Sequence, residues 1–406
     1  MTSKEQDKIS KVVIIGGGPC GLVAAILLSK IIKEVVVLEK EKFPVDKVCG
    51  EGLMPRAVDF LKDENILDQN FLNDKNNYYY FEGINFAHQN ICLEGKFPKN
   101  SRGMGIKRTV LSQLLFNKAR DSGVVIKTSS KVVDIKTGVR PFVTFMTEQS
   151  VSNNSNVMSI IEADLVLLCD GHSSLLKQKL EIKRQLLYPQ ILKRKGEFPL
   201  RLGAREHYTI RPWSNKVEVL WGDGIEAYIT PLSSDKIGIT WLFNAKQMKP
   251  GSDSEIFLKY FPSLKEKLKN AISLNDFLVF GPMGLKSNRG SLGKICLLGD
   301  SFSFYDGITG EGLASAFNEC QLLLKALKEY QNDKIKNIDE CFCYFEEERK
   351  RNLDLTVNHC SFVLFLSSSK LIKKIVFLFL NEFPSVFQKM LAINVQGEKL
   401  VFKNFF

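Results

Sequence analysis

The sequence predicts an α/β chain, α+β overall, in which a nucleotide-binding domain with a parallel sheet is interleaved with a second domain on an antiparallel sheet. A C-terminal helical segment follows. The run KVVIIGGGPCGLVAAILLSK passes from an apolar strand through glycines into an apolar helix. From about Leu200 to Phe243, short runs rich in Trp, Tyr, Val and Thr alternate with turns, as in an antiparallel sheet. The last sixty residues are helical in pattern.

The length of 406 residues is too great for one small core and predicts interlocked domains. We assign residues 1–60, 101–185 and 285–345 to the discontinuous nucleotide-binding domain. Residues 61–100 and 186–284 form the predicted substrate domain, and residues 346–406 form the C-terminal helical region.

The composition excludes some functions. The formal net charge of +11 is a mild basic bias that suits anionic ligands or an acidic membrane surface. No arginine-rich tract or aromatic-basic motif supports nucleic-acid binding. The four histidines lack metal-ligand spacing, so no metal site is predicted. Nine scattered cysteines and a polar N-terminus favour a reducing, cytoplasmic location.

The first motif is a glycine-rich turn between the first strand and the first helix. Gly16 permits the tight turn, Gly18 lets the backbone approach a pyrophosphate, and Gly21 lets the helix pack closely on the strand. Pro19 and Cys20 complete GxGxxG. Glu39 ends the next strand, where its carboxylate can accept hydrogen bonds from a ribose. NAD, NADP and FAD all fit this unit.

Two further motifs favour a flavin. Asp170-Gly171 follows the strand LVLLC, and Gly299-Asp300 follows ICLL, so both carboxylates stand at strand ends where open sheets bind ligands. Asp300 can accept hydrogen bonds from a ribityl chain. The run DGITGEGL then opens a helix, and its amides can stabilise negative charge on a reduced flavin. Its candidate residues are Gly307, Gly310, Gly312 and Leu313.

In this order the motifs resemble the fingerprints of the flavoprotein superfamily of single-component aromatic hydroxylases, flavin-dependent halogenases and geranylgeranyl reductases (para-hydroxybenzoate hydroxylase-like flavoproteins). In LLCDGHSSLLKQK, Lys177 stands where arginine is common. In LLGDSFSFYDGITGEGLASAF, Asp306-Gly307 replaces the commoner Asp-Pro. Arg108, in GIKRTVLSQLL, matches the arginine near the FAD phosphates. The resemblance covers about Lys11 to Tyr330.

The resemblance implies FAD in a Rossmann-like domain of the glutathione reductase type. The residues that it places against FAD are Gly16, Gly18, Pro19, Cys20, Gly21, Glu39, Lys40, Cys49, Gly50, Arg108, Val133, Asp170, Gly171, Gly299, Asp300, Gly307, Gly310, Gly312 and Leu313.

The stretch KVCGEGLMPRA resembles the segment that geranylgeranyl-reductase-like members place against the isoalloxazine ring. Cys49 is either near the flavin and substrate or a small apolar filler. Glu51 is either a proton donor or, as we prefer, a helix-start carboxylate that accepts from free amides. In the antiparallel sheet, His207 is an acid/base candidate, and Tyr228 and Trp221 are candidates to line the substrate pocket. Our four catalytic candidates are Cys49, Glu51, His207 and Tyr228.

With one dinucleotide unit, FAD occupies the site and NADH or NADPH is a transient electron donor. We expect a monooxygenase that uses O2, through a flavin C4a-hydroperoxide, on an aromatic, peptidyl or secondary-metabolite substrate. The alternative is a geranylgeranyl-reductase-like enzyme that reduces isoprenoid double bonds, which AYITP supports loosely because Thr230 stands where that motif has tryptophan. Halogenation is disfavoured because no tryptophan forms WxWxIP. A non-catalytic FAD-binding protein would not need the aromatic sheet.

The C-terminal segment from SSSKLIKKIVFLFL onward is apolar with interspersed lysines. We interpret this segment first as a helix that caps the substrate domain. The second interpretation is a basic amphipathic helix that rests on an anionic membrane, at its inner face, or docks a carrier protein.

Overall fold

The structure is a computed structural model that describes residues 8–98, 101–148, 156–188, 201–248, 253–367 and 369–396. Its strands, in chain order, are β1 (Lys11–Ile15), β2 (Glu34–Leu38), β3 (Gly52–Leu53), β4 (Tyr79–Phe81), β5 (Ile84–His88), β6 (Ile91–Glu94), β7 (Gly103–Gly105), β8 (Val125–Lys127), β9 (Ser130–Lys136), β10 (Phe142–Glu148), β11 (Asn156–Glu162), β12 (Leu165–Leu168), β13 (Arg184–Leu186), β14 (Arg201–Thr209), β15 (Val217–Trp221), β16 (Ile225–Pro231), β17 (Lys236–Asn244), β18 (Ile272–Ser273), β19 (Leu278–Phe280), β20 (Leu285–Ser287), β21 (Ser291–Leu292), β22 (Ile295–Leu297) and β23 (Ser303–Phe304).

The helices include short single-turn pieces and long C-terminal ones. They are α1 (Pro19–Leu28), α2 (Pro55–Asp63), α3 (Gln69–Asn73), α4 (Arg108–Asp121), α5 (Leu176–Lys179), α6 (Glu255–Leu258), α7 (Pro262–Lys267), α8 (Gly312–Gln331), α9 (Ile338–Ser367), α10 (Lys370–Glu382) and α11 (Pro384–Gln396). Short 3-10 helices cover Lys75–Asn77, Ala245–Gln247, Gly299–Ser301 and Gly307–Thr309.

A six-stranded sheet in the order β21-β22-β12-β1-β2-β8 forms the predicted nucleotide-binding fold. Five of its strands are parallel, and β21 is an antiparallel edge. Its apolar strands are buried on both faces, as a parallel sheet covered on both sides requires. Val12 and Ile14 pack towards α1 and α8, whereas Val13 and Ile15 face the core that includes β10. The carboxyl ends of β1, β12 and β22 therefore share one edge.

The predicted antiparallel sheet is also present. It runs β18-β14-β17-β16-β15-β5-β6, and β19 pairs with β14. The pair β15 and β5 is parallel, a crossover that the sequence analysis did not anticipate. Strands of the first sheet fall in segments 1–60, 101–185 and 285–345, and those of the second in 61–100 and 186–284. The domain boundaries themselves stay predictions.

Smaller sheets connect these units: β11-β10-β9, β13-β20-β23 and β3-β7-β4. The described part of the C-terminal segment is helical: α9 packs against α8, and α10 and α11 pack beside β6 of the second sheet. Residues 397–406 of the predicted C-terminal region lie outside the described residues. Within the described ranges, no single helix is long and apolar enough to cross a membrane.

Candidate functional site

Glycines close the junction between the first strand and the first helix. Gly16 has φ of +103°, and a Cβ there would lie 2.5 Å from the carbonyl oxygen of Cys169. A Cβ on Gly21 would lie 2.0 Å from the carbonyl oxygen of Gly16. Both contacts are with backbone, which cannot move aside easily. These two glycines thus have the turn and packing roles that the sequence predicts.

Other predicted glycines face open space. At Gly18, Gly50 and Gly312, no atom of the described residues lies within 4 Å of a Cβ position, and none has a positive φ. Neither backbone conformation nor internal packing therefore calls for glycine at these positions. All three border the same cavity. A ligand held close against bare backbone explains them.

One central cavity of about 360 Å³ lies between the two large sheets and the C-terminal helices. It brings together most of the residues placed against FAD by the sequence. Those that line it are Gly18, Pro19, Cys20, Cys49, Gly50, Arg108, Gly171, Asp300, Gly307, Gly310, Gly312 and Leu313.

The remaining predicted cofactor residues do not line this cavity: Gly16, Gly21, Glu39, Lys40, Val133, Asp170 and Gly299. Glu39 is buried behind the glycine turn, where its carboxylate accepts from the backbone N–H groups of Gly17 (2.6 Å) and Glu41 (3.0 Å). Lys40 is exposed and pairs with Glu41. Val133 lies in β9, within the three-stranded antiparallel sheet.

Arg108 is the clearest candidate for an anion-binding residue in the cavity. It is the first residue of α4, its side chain is buried, and its guanidinium Nη1 has no hydrogen-bond partner among the described residues. Burial lowers the pKa of this guanidinium from its ordinary value, which an anion beside it would counteract. A phosphate at this point satisfies both the orphaned donor and the positive helix end.

The two acidic loops meet at the edge of the parallel sheet. Asp170 accepts a hydrogen bond from Ser301 Oγ (3.1 Å), and buried Lys177 donates to the carbonyls of His172 (3.1 Å) and Ser301 (2.9 Å). Burial lowers the pKa of Lys177 to about 8. The Asp300 side chain opens into the cavity, yet the surrounding walls withhold bulk water and raise its pKa to about 6.

Glu51 lines the cavity and connects it to a buried network that begins at His207. Glu51 Oε1 accepts from the backbone N–H of Arg108 (2.6 Å), which is the helix-start contact that we prefer from the sequence. Its Oε2 lies 2.6 Å from His207 Nε2. His207 Nδ1 in turn contacts Asp276, and Arg205 bridges Asp276 to Asp46. Partial burial acts to raise the pKa of Asp276, but the hydrogen bonds from His207 bring it below its ordinary value.

The structure separates the four catalytic candidates. Cys49, Glu51 and Tyr228 line the cavity, whereas His207 does not and reaches it only through Glu51. Burial raises the pKa of the Cys49 thiol, and the charge of Glu51 raises it further. The Tyr228 hydroxyl donates to the Ile308 carbonyl (2.8 Å). This bond connects the second sheet to the glycine-rich loop of residues 306–313, which we call the flavin loop.

Trp221 is not a lining residue, so that prediction was wrong. It is buried outside the cavity, against Phe86 and Phe377, with ring centroids 5.8 and 5.9 Å away. Along β15, Val217 and Val219 share its face and do line the cavity. Trp221 lies one step further along the strand, beneath α10.

Two parts of the site were missed by the sequence analysis. Buried Arg201 pairs with both Glu226 (2.8 Å) and Asp306 (2.7 Å), and so joins the second sheet to the glycine-rich flavin loop. The C-terminal helices supply the third wall of the cavity through His359, Phe362, Val363, Phe387, Met390 and Leu391. The apolar character of that segment was visible, but not the surface that it covers.

The residues present fit FAD. Bare backbone at Gly18, Gly50 and Gly312, the Arg108 Nη1 atom that lacks a partner among the described residues and the Asp300 carboxylate all line one cavity. These residues would hold the cofactor between the parallel sheet and the second sheet.

Comparison with known proteins agrees with this geometry. A family model described as FAD binding domain matches residues 10–337. A menaquinone reductase of Mycolicibacterium smegmatis is 33% identical over 126 residues, 30% of this chain and 30% of that protein, so less than a third of its length is matched. A squalene monooxygenase of Candida glabrata is 20% identical in an alignment that covers 92% of this chain and 82% of that protein. A variant of the flavin-dependent brominase Bmp2 superposes with a TM-score of 0.79 at 18% identity, covering 97% and 96% of the two chains, which shows the fold alone.

Proposed function

The chain belongs to the FAD-dependent monooxygenase superfamily and is an FAD-dependent oxidoreductase by family; from this premise we propose that it acts on an apolar, isoprenoid-like carbon chain by reducing a carbon–carbon double bond. The observation that carries the proposal is the apolar lining that the second sheet and the C-terminal helices give the central cavity. Beyond the cofactor loops, its walls are Phe81, Phe86, Val217, Val219, Phe387 and Leu391.

Hydroxyl groups in these walls are already used within the protein. Thr230 Oγ1 donates to the Gly50 carbonyl (3.0 Å), Thr240 Oγ1 to the Cys49 carbonyl (3.2 Å), and Tyr228 to Ile308. The surface offered to a ligand is therefore mainly methyl groups and ring carbons. Such a surface suits a hydrocarbon better than a charged aromatic acid.

Cys49 favours reduction over other reactions of an alkene. FAD bound at this site would supply two electrons as a hydride to one carbon of the double bond, and NADH or NADPH would reduce it again. The second carbon of the double bond then needs a proton. The Cys49 thiol borders the cavity next to Gly50, and its raised pKa keeps it protonated at neutral pH. In this proposal Cys49 gives that proton to carbon and recovers one from solvent, so the alkene gains two hydrogen atoms in all.

Monooxygenation is the second candidate, and it is the first expectation from the sequence. The alignment with squalene monooxygenase over 92% of the chain supports it. An apolar cavity also excludes water, and oxygen insertion requires that water be excluded. In that case NAD(P)H and O2 are co-substrates, one oxygen atom enters the chain-like substrate, and the other leaves as water.

Product analysis separates the two reactions. The flavin-loaded protein is incubated with NADH or NADPH and a polyprenyl alcohol in detergent, with and without O2. The molecular masses of the products are then measured by mass spectrometry. We expect a gain of two hydrogen atoms that does not depend on O2. A gain of one oxygen atom only in the presence of O2 supports the second candidate. Turnover of soluble aromatic acids but not of the polyprenyl alcohol contradicts the apolar substrate.

A matched pair of cysteine variants tests the proton donor. Cys49→Ala should slow reduction by roughly 100-fold, the contribution typical of a general acid. Cys92→Ala removes an exposed thiol on β6 and should leave the rate unchanged. Equal rates for both variants would remove Cys49 from the mechanism.

A further inference from the structure

The outer face of α10 carries a stripe of large apolar side chains that the described residues leave uncovered. Four exposed residues of the helix form it, Leu371 (67%), Ile375 (56%), Leu378 (46%) and Phe379 (45%), and Phe383 (53%) extends it just after the last helical residue. Their spacing of three and four residues places them on one side of the helix. A contiguous apolar stripe of this kind is a mark of an interaction surface.

The opposite face of α10 is also largely apolar. Phe377 and Leu380 are buried against the second sheet, and buried Lys373 donates to the Gly222 carbonyl. Exposed Lys370, Lys374 and Asn381 form a polar side between the two apolar faces, so α10 is amphipathic. Because one apolar face of α10 already contacts the protein core, the exposed face is free to contact a separate apolar partner.

Charge around the stripe indicates what that partner is. Residues 369–406 contain six lysines and two glutamates. Lys370 and Lys374 are exposed on α10 itself and Lys389 is exposed on α11, and Lys370 also pairs with Asp223 (2.7 Å). The acidic residue of the stripe's C-terminal end is Glu382. Lysines beside an apolar face suit a bilayer surface with anionic headgroups, because their chains reach the headgroups while the apolar side chains enter the acyl region.

The helix that follows the stripe lines the central cavity. Helix α11 follows α10 after a bend of 104°, and its Phe387, Met390 and Leu391 line the central cavity. Together Lys370–Glu382 and Pro384–Ile393 have the length and apolar composition of a membrane segment that is broken by this bend. The segment that bears the stripe thus continues directly into a cavity wall.

We propose that α10, followed by the bend into α11, rests on an anionic lipid bilayer with its stripe in the headgroup–acyl boundary. In this orientation the cavity wall made by α11 stands next to the bilayer, and an apolar substrate enters from lipid without crossing water. The substrate route rests on the proposed function; the membrane contact itself does not.

Vesicle partitioning tests the contact. The full-length protein is mixed with vesicles of phosphatidylcholine and phosphatidylglycerol in equal amounts, and with phosphatidylcholine alone, and the bound fraction is measured by flotation. We expect the partition coefficient to be at least about ten-fold higher on the anionic vesicles than on the neutral ones. The double variant Ile375→Ser/Phe379→Ser should lose at least about ten-fold of the partition coefficient, because two large apolar side chains leave the bilayer.

The control is Met158→Ser/Ile160→Ser, which removes two equally exposed apolar residues (63% and 67%) from β11. It should bind vesicles as the parent does. Circular dichroism and flavin content show that both double variants are folded. Absence of vesicle binding, an equal loss in the control, or a concentration-dependent dimer that the Ile375/Phe379 variant abolishes would overturn the proposal. No substrate is used, so this outcome is independent of the product analysis above.

Discussion

Glu51 and His207 are 156 residues apart in the chain, yet their Oε2 and Nε2 atoms lie 2.6 Å from each other beneath the cavity wall. Glu51 holds a left-handed backbone conformation, with φ of +56°, that side-chain-bearing residues rarely adopt. Its two carboxylate oxygens are occupied by the start of α4 and by His207. The network therefore maintains a strained backbone next to the residues that would face the flavin ring.

The first prediction concerns Glu51→Gln. Glutamine keeps an acceptor for the Arg108 N–H but removes one of the two carboxylates that contact His207 and leaves Asp276, so the free energy of unfolding should fall by about 2 kcal/mol. The pKa of Cys49 should fall as well, because the Glu51 charge helps to raise it. Denaturant unfolding measures the first effect, and the pH dependence of Cys49 alkylation measures the second.

Glu206→Gln is the matched control for this pair of effects. Glu206 is a buried carboxylate in the same strand as His207, and it accepts from Tyr208, Ser254 and Ser273 instead. Its loss should destabilise the protein without changing Cys49 alkylation. If Glu51→Gln also leaves the alkylation profile unchanged, the coupling between Glu51 and Cys49 is wrong.

The second prediction concerns Arg108, whose Nη1 is unpartnered. Arg108→Met should weaken FAD binding by about 10- to 100-fold, the effect of removing a charge-assisted hydrogen bond to phosphate. Riboflavin, which has no phosphate, should bind both proteins alike. Fluorescence titration gives both affinities. Arg120→Met, at an exposed site on the same helix, is the control. A parallel loss of riboflavin affinity would indicate a general packing role.

The third prediction contrasts two glycines of one motif. Gly18→Ala adds a methyl group in open space at a φ of −69°, so apo-protein stability should change by less than about 1 kcal/mol while FAD binding falls more than about ten-fold. Gly21→Ala places its Cβ against the Gly16 carbonyl and should destabilise the apo-protein by about 2 kcal/mol or more. Denaturant unfolding without flavin and fluorescence titration with it distinguish the two. Equal behaviour of the variants would contradict this division of roles.

The cofactor half of the site was predictable because its signals are local. An apolar strand followed by Gly16, Asp170-Gly171 or Gly299-Asp300 fixes both the turn and the sheet edge at which it lies. Twelve of the residues assigned to FAD from sequence then meet in one cavity. Lys40 and Val133 do not, since a position next to a motif residue or on a predicted strand does not determine where a side chain points.

The substrate half depends on contacts between distant segments. Alternation along β15 gives Val217, Val219 and Trp221 a common face, but only the course of α10 determines that Trp221 lies beyond the cavity. The contributions of His359 and Phe387 depend on how the C-terminal helices fold back, which their periodicity leaves open. Arg201 joins carboxylates 25 and 105 residues away, and no spacing rule anticipates that triad.

The fourth prediction is a pH effect from Glu319 in α8. Its carboxylate is buried and accepts from the Gly299 N–H (3.0 Å), and burial raises its pKa to about 8. The folded protein therefore binds this proton over the window from the ordinary glutamate pKa of about 4.3 to about 8, whereas the unfolded chain has lost it. Stability from this group must fall as the pH rises through that window.

Glu319→Gln keeps the acceptor and removes the titration. The variant should thus gain stability relative to the parent by at most about 1.4 kcal/mol per pH unit up to about pH 8, and then level off. Denaturant unfolding of the flavin-free proteins across this range measures the difference, with Glu347→Gln, at an exposed position of α9, as the control. A difference that is flat with pH would show that the Glu319 carboxylate is charged in the fold, and that a cation or water compensates it beside the flavin loop.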